Sequence, residues 1–153
     1  MHMDLKSGLE IKDFISLING RVSATINRHL NRKFKAAGLG ITTEQWSVLA
    51  CLWEKDKQTQ QYICEQTFKD KASITRLIDG LEKNGLVVRM SDPTDRRSNL
   101  IHLTERGAEL EESANTIIRD SIELATKNVD KADFLNMAVM FKKIISNIED
   151  DTN

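Results

Sequence analysis

Over most of its length the chain places apolar residues three or four positions apart, and one short region interrupts this helical period. Between residues 86 and 103, two short runs of β-like composition flank a charged turn that contains the single proline of the chain. With one proline and seven glycines in 153 residues, the chain has too few turn formers for an all-β fold. The pattern therefore predicts a mainly α protein with one β-hairpin.

Capping residues divide the helical regions from one another. A first apolar stripe covers residues 9–35 and stops at Gly38-Leu39-Gly40. Four polar residues precede later stripes and are predicted to cap them, because their side chains can accept the free backbone N–H groups of a first helical turn: Thr42, Thr59, Asp70 and Thr104. The predicted helices after Asp70 and Thr104 run to about Asn84 and Lys127, and a last one covers about 131–148.

This order of elements predicts one integrated domain built around a helix-turn-helix and a β-hairpin wing. We expect an N-terminal dimerisation helix over residues 1–38, a winged helix-turn-helix lobe over 39–104, and C-terminal helices over 105–153 that complete the dimerisation region. The last helix carries an apolar stripe that would expose a large patch on a monomer: Phe134, Met137, Ala138, Phe141, Ile144, Ile145 and Ile148. We expect the first and last helices to bury each other across a two-fold homodimer.

The helix after Asp70 is a candidate for entry into a DNA major groove. Its apolar residues Ile74, Leu77, Ile78 and Leu81 should face the core, which leaves small polar residues and one arginine near the start of the opposite side. The residues predicted on or beside that free side are Ala72, Ser73, Thr75, Arg76, Asp79, Gly80 and Lys83. An ordinary amphipathic helix with a solvated polar face produces the same periodicity.

The tip of the predicted hairpin supports the same interpretation. Arg96 and Arg97 are adjacent on a loop that cannot bury them, so they can contact phosphates or enter a narrow minor groove. Asp95 can orient the Arg97 guanidinium through a bidentate pair. The net charge of -1 does not by itself suggest a polyanionic partner, and a solvent-exposed charged turn remains the alternative.

The run from Thr43 to Thr104 resembles the MarR family of bacterial winged helix-turn-helix transcription regulators. The motifs that carry the resemblance occur in order: Gln45-Trp46-Ser47-Val48-Leu49, Ser73-Ile74-Thr75-Arg76-Leu77-Ile78-Asp79, Leu81-Glu82-Lys83-Asn84-Gly85-Leu86-Val87 and Asp92-Pro93-Thr94-Asp95-Arg96-Arg97 followed by Leu103-Thr104.

The resemblance implies a homodimer on a pseudo-palindromic operator of double-stranded DNA, with the recognition helix at Asp70 to Lys83. It makes Arg97 the wing-tip arginine and Asp95 its partner. It further implies a repressor that a small, often aromatic, effector releases from DNA by binding between the dimer helices and the DNA-binding lobe. A thiol-based redox regulator of this fold, or a winged-helix interaction module without DNA, are the alternatives.

Other chemistry finds little support in the sequence. No phosphate loop, nucleophile elbow or metal-spaced histidine pair is visible, so we expect neither an enzyme nor a cofactor or metal site. Cys51 lies in an apolar run and is predicted to be a buried structural thiol, whereas Cys64 could be partly exposed. His29 is a candidate polar group of a pocket, but we expect a satisfied surface or interface histidine instead. Six aromatic residues could line a pocket or simply pack in the core: Phe14, Phe34, Trp46, Trp53, Tyr62 and Phe68.

The chain is predicted to be cytoplasmic, without a membrane partner. Its N-terminus lacks a basic region followed by an apolar stretch, and no apolar run is long enough to span a bilayer. Two cysteines do not form a disulfide framework.

Overall fold

Six helices and three short strands make up the described part of the protein. The structure is a computed structural model, and it describes Ser16, residues 20–93 and residues 99–151. In chain order the elements are α1 Val22–Ala36, α2 Thr43–Glu54, β1 Gln58–Thr59, α3 Gln60–Thr67, α4 Lys71–Lys83, β2 Val87–Ser91, β3 Asn99–Leu103, α5 Glu105–Ala125 and α6 Lys131–Asp150. The predicted fold class, mainly α with a winged helix-turn-helix, is confirmed.

The four predicted caps are present, and they set where α2, α3, α4 and α5 begin. Thr42 and Gln45 form a reciprocal capping box, with backbone-to-side-chain distances of 3.2 and 3.0 Å. The hydroxyl of Thr59 accepts the Tyr62 N–H at 3.1 Å, and that of Thr104 accepts the Gly107 N–H at 3.0 Å. Each cap satisfies a backbone donor that has no partner inside its own helix.

The core of the lobe lies between the helices and the base of the hairpin. It is a continuous cluster of fully or almost fully buried side chains contributed by α1 to α5 and by the strands: Phe34, Ile41, Val48, Leu49, Leu52, Ile63, Ile74, Ile78, Leu81, Leu86, Val87, Ile101 and Ala114. Two tryptophans pack against this cluster and tie α2 to α5. The indole N–H of Trp46 donates to Asn115 Oδ1 at 3.2 Å, and that of Trp53 donates to the Gly107 carbonyl at 3.0 Å.

Gly107 allows the start of α5 to approach the beginning of the wing closely. A Cβ atom at this position would lie 2.0 Å from the Leu86 carbonyl oxygen, which is too close for any side chain. The same carbonyl oxygen of Leu86 accepts the backbone N–H of Thr104 at 3.0 Å. The junction between α5 and the hairpin therefore depends on a glycine here.

The hairpin is part of a three-stranded antiparallel sheet in the order β1-β3-β2. The two long strands pair from Val87 opposite Leu103 to Ser91 opposite Asn99. Their bounds agree within one residue with the β-like runs 86–90 and 99–103 of the sequence. The third strand, β1, was not predicted. It pairs Gln58 with Ile101 and joins the start of α3 to the hairpin.

The contacts of the chain separate it into two units, Met1–Ser121 and Ile122–Asn153, with the division inside α5. In the second unit α6 is a regular helix, as predicted, but none of its described side chains is buried. Within the described part of the chain, no helix is long and apolar enough to cross a membrane. The predicted first stripe includes Ile11, Phe14, Ile15 and Ile18, which lie outside the described residues, as does His2.

Candidate nucleic-acid interface

The start of α4 is held by Asp70. Its two carboxylate oxygens accept the backbone N–H of Ser73 at 2.8 Å and the Ser73 hydroxyl at 2.7 Å. These bonds favour the ionised carboxylate, so the pKa of Asp70 is lowered, first by the Ser73 hydroxyl and then by the Ser73 backbone N–H. The first turn of α4 thus has a defined direction, with its N-terminal end at the surface.

One side of α4 is buried and the other is open to solvent. Ile74, Ile78 and Leu81 are fully buried, and Leu77 is partly buried against the same core. On the open side Ala72 and Arg76 are exposed, and Arg76 forms no ion pair with any residue that the structure describes. The predicted division of this helix into a buried stripe and a free arginine-bearing side is therefore present.

Ser73 and Thr75 flank this open side, are half-buried and already have hydrogen-bond partners. The Thr75 hydroxyl donates to the Lys71 carbonyl at 2.8 Å and accepts from the Gln60 amide at 2.5 Å. The same amide donates to the Lys71 carbonyl at 3.2 Å. Gln60 was not predicted as a site residue; the polar run Gln58-Thr59-Gln60-Gln61 just before the turn was the available signal. Gln60, at the start of α3, therefore holds the first turns of α4 in place through these two hydrogen bonds.

The far end of α4 is joined to the wing through Arg89 of β2. Its guanidinium contacts Asp79 Oδ1 and Glu82 Oε2, each at 2.5 Å. Its backbone N–H also donates to Glu82 at 3.1 Å. Partial burial lowers the pKa of Arg89, but the hydrogen bonds and charges of these carboxylates more than offset it, so the pKa is raised. Two acidic groups of α4 are thereby paired with a cation of the wing.

One prediction about α4 is wrong. Gly80 was expected on the free side, but a Cβ atom there would lie 2.8 Å from the Gln45 side-chain nitrogen. Gly80 therefore faces α2. The 100° spacing places Gly80 at the edge of the polar side of α4. Whether a residue at that edge is exposed depends on a neighbouring helix, here α2, which the spacing cannot report.

The wing tip bridges the two long strands between Ser91 and Asn99. Asp95, Arg96 and Arg97 lie outside the described residues, so their predicted roles stay predictions. The register fixes the ends of the tip, because Ser91 and Asn99 are opposite each other on adjacent strands.

A polar groove of about 340 Å³ lies between α3, the start of α4 and the sheet. The residues that line it come from α3, α4 and the sheet: Thr59, Gln60, Gln61, Cys64, Lys71, Arg89, Asn99 and Ile101. Cys64 is half-buried here as a free thiol. Cys51 is also a free thiol, but it is only half-buried, so the predicted full burial is wrong. Its thiol donates to the Ser47 carbonyl at 3.2 Å. Burial, and then the charge of Glu54, raise the pKa of Cys51, which disfavours the reactive thiolate.

The aromatic residues do not gather around one pocket. Phe34 is fully buried and both tryptophans pack against the core, which confirms core packing for these three. Tyr62 is half-buried, and Phe14 lies outside the described residues. Phe68 is 97% exposed, so both core packing and a lining role are wrong for Phe68. His29 Nε2 is buried without a hydrogen-bond partner among the described residues, unlike the satisfied histidine that was expected. No group of three or more His, Cys, Asp and Glu side chains in the described ranges could hold a metal ion.

A capped, braced helix preceded by a short helix and followed by an antiparallel hairpin defines the winged helix-turn-helix class. The MarR family model matches residues 41–98. The HTH-type transcriptional regulator MhqR of Bacillus subtilis is 31% identical over 129 residues, which cover 76% of this chain and 86% of that relative. The chain belongs to the MarR family, whose members are transcriptional regulators and not enzymes.

Solved structures agree with this fold. A MarR family transcriptional regulator from Rhodococcus sp. RHA1 superposes with a TM-score of 0.73 at 26% identity, covering 88% of this chain and 94% of that one. The S. aureus MepR-DNA complex superposes with a TM-score of 0.77 at 23% identity, covering 86% of this chain and 96% of that one. At that identity the second likeness supports the fold alone.

Proposed function

We propose that this MarR family protein is a homodimeric, sequence-specific repressor that places α4 in the DNA major groove and its wing tip in the adjacent minor groove. The observation that carries the proposal is the open side of the α4 N-terminal half, where Ala72 and Arg76 are exposed. Residues near the start of a recognition helix are those that reach base edges. MepR of S. aureus, which has this fold, was solved in complex with DNA, and this supports DNA binding by the present chain.

The bracing of α4 suits this role, because base readout needs side chains at fixed positions. Gln60 and Asp70 hold the first turns, and Arg89 holds the last turns to the wing. The arginine also neutralises Asp79, an exposed carboxylate that would otherwise repel phosphates. Because Arg89 links α4 to the wing, we expect the two elements to bind the duplex as one rigid unit.

Each contact residue has a chemical role that follows from its surroundings. Arg76 can donate two hydrogen bonds to the O6 and N7 atoms of a guanine, and Ala72 leaves room for close approach. The hydroxyl protons of Ser73 and Thr75 are engaged within the protein, so towards DNA these residues offer acceptor oxygens. They suit an adenine or cytosine amino group.

The wing tip supplies the minor-groove contact in this proposal. Arg96 and Arg97 contact phosphates and the floor of a narrow groove, and Asp95 orients Arg97. The strand register supports it by setting the two ends of the tip opposite each other, and Arg89, two residues before one end, is ion-paired to α4.

Dimerisation follows from the exposed apolar stripe of α6 and completes the proposal. Residues 1–38 and 105–153 would form the dimer region and residues 39–104 the DNA-binding lobe. Two α4 helices related by a two-fold axis would recognise half-sites about one helical turn apart on a pseudo-palindromic operator. Release by a small aromatic effector rests on the family resemblance. The Cys51 thiol donates to the Ser47 carbonyl and has a raised pKa, so it gives no support to a redox switch at that residue.

The test is a titration of a labelled duplex from the upstream region of the protein's own gene. Arg76→Ala should weaken binding to the preferred sequence by about 1–3 kcal/mol and relax preference at one position of each half-site. Arg119→Ala is the matched control, since it removes one exposed arginine from α5, and it should bind as the wild type does. If selection from random duplexes returns the same motif for Arg76→Ala and wild type, the role of Arg76 is wrong.

A further inference from the structure

Phe68 occupies an unusual place in the turn between α3 and α4. Its backbone is left-handed, with φ 54° and ψ 31°, and its side chain is 97% exposed. A bulky side chain is disfavoured in this region of the backbone map because its Cβ crowds the carbonyl oxygen. An exposed ring also adds nothing to packing in the free protein. Folding of this chain therefore gives no reason for a phenylalanine here.

Other turns of the same molecule show what the position requires for folding. The left-handed residue after α1 is Gly38, with φ 69°, and the one after α4 is Gly85, also with φ 69°. The turn after α5 uses Asn128, with φ 63°, a residue type that tolerates this conformation, and the turn after α2 uses the exposed Lys57, with φ 62°. Phe68 is the one aromatic residue among the described left-handed positions. Strained, exposed side chains of this kind are concentrated at functional sites.

The place of Phe68 in the chain points to its partner. It lies two residues before Asp70, the cap of the proposed recognition helix. The turn is fixed on both sides of the ring, because Lys69 pairs with Glu44 of α2 at 3.5 Å and Asp70 caps α4. Of the charged groups beside the ring, Lys69 is paired with Glu44 and Asp70 caps α4, so the turn carries no net positive charge of its own. An exposed apolar ring in a rigid turn beside the entry point of α4 suits the edge of a major groove.

We infer that Phe68 is a specificity-determining residue that packs against a thymine methyl group at the edge of the major groove. This inference rests on the proposed DNA binding. The C5-methyl of thymine is the apolar group that the major groove presents, and phenylalanine is among the side chains that contact it. The contact gives the strained conformation a function: the ring is held out of the protein and ready to be buried by DNA.

The experiment compares duplexes that differ by this methyl group alone. Wild type and Phe68→Gly are titrated with the protein's preferred duplex and with versions in which deoxyuridine replaces thymine at single half-site positions. At one position wild type should bind the deoxyuridine duplex about threefold to tenfold more weakly, and Phe68→Gly should bind both forms equally. Phe68→Gly should also raise the thermal unfolding midpoint, because glycine relieves the left-handed strain.

Two further variants separate the ring from the backbone. Phe68→Asn places a residue that tolerates the left-handed turn without the flexibility of glycine. It should lose the discrimination between thymine and deoxyuridine as Phe68→Gly does, which excludes added flexibility as the cause of that loss. Asn128→Gly makes the same kind of change in the turn after α5 and should leave both affinities unchanged. If wild type binds duplex but discriminates no thymine from deoxyuridine, or Phe68→Gly keeps the discrimination, the inference is wrong and the proposed function stands. If wild type binds no duplex, both fail.

Discussion

The helices α4 and α6 have similar apolar periodicity and opposite surroundings. The shorter α4, with 13 residues, buries Ile74, Ile78 and Leu81 completely. The longer α6, with 20 residues, has no buried residue in its described length, and Phe134, Phe141 and Ile145 are each more than two-fifths exposed. The stripe of α4 is satisfied within one chain, whereas that of α6 is not. Periodicity alone predicts both helices but does not say which molecule covers them.

The two regions also differ in charge. Residues 69–104, which include α4 and the wing, carry seven basic and five acidic groups. Residues 105–153, which include α5 and α6, carry six basic and eleven acidic groups. A duplex is attracted to the first region and repelled by the second. Charge therefore favours residues 69–104 over residues 105–153 as the surface that meets phosphate.

The largest expected effect is at the buried helix. Ile78→Ala removes a fully buried side chain and leaves a cavity, so it should lower the free energy of unfolding by about 2–5 kcal/mol. Urea denaturation followed by circular dichroism measures this value. The loss should be the same at low and high protein concentration, because the contacts of Ile78 lie within one chain. A loss below about 1 kcal/mol would show that the core of the lobe is arranged differently.

The same substitution in α6 should act through association. Ile145 is 55% exposed, so in a monomer Ile145→Ala should change stability by less than about 0.5 kcal/mol. In the proposed dimer it should raise the dissociation constant roughly tenfold to a hundredfold, since both copies lose the contact. Sedimentation at micromolar concentration measures this change.

A control on the same helix makes the α6 prediction specific. Val139 is 65% exposed and lies off the predicted stripe, so Val139→Ala should leave the dissociation constant unchanged. Equal effects of the two variants would contradict a stripe-mediated interface. Sedimentation of the wild type at monomer mass would remove the dimer from the proposal.

The smallest expected effect concerns the cap of α4. Because the pKa of Asp70 is lowered in the folded state, its ionised form contributes stability above its ordinary pKa of about 3.9. That contribution is lost as the pH falls through the lowered folded value. Asp70→Asn keeps a capping side chain without the charge, so its stability deficit should be largest at neutral pH and shrink below about pH 4.

A second variant tests the cause of that pH dependence. Ser73→Ala removes the hydroxyl that contributes most to the lowered pKa, so it should weaken the pH dependence of stability in the same direction as Asp70→Asn. Urea midpoints measured between pH 7 and pH 3.5 test both variants. A constant difference between Asp70→Asn and wild type across this range would show that the carboxylate charge does not stabilise α4.

Much of the fold could be predicted because its signals are local. The caps Thr42, Thr59, Asp70 and Thr104 act on backbone groups three residues away, and each was identified from its neighbours in sequence. The buried stripe of α4 followed from its 3.6-residue period. The hairpin followed from two β-like runs around a turn, at 86–90 and 99–103, and the strand bounds agree within one residue.

Parts of the site could not be predicted, either because the interacting residues are distant in sequence or because the property depends on backbone conformation. Arg89 meets Asp79 ten residues away, and no local pattern marks such a pair. Gly80 faces α2, contrary to the helical spacing, because of a neighbour that only the packed lobe supplies. Phe68 was grouped with core aromatics because hydrophobicity does not report a left-handed backbone that turns a ring outward.

The amino-acid order alone determined where α2 to α6 begin, which face of α4 is apolar and where the hairpin lies, since each depends on residues within one or two turns. Tertiary packing decided which carboxylates are neutralised, how Gln60 and Arg89 hold α4 rigid, and that Phe68 points into solvent. Those outcomes depend on distances between elements far apart in the chain, and such distances are set when the core closes.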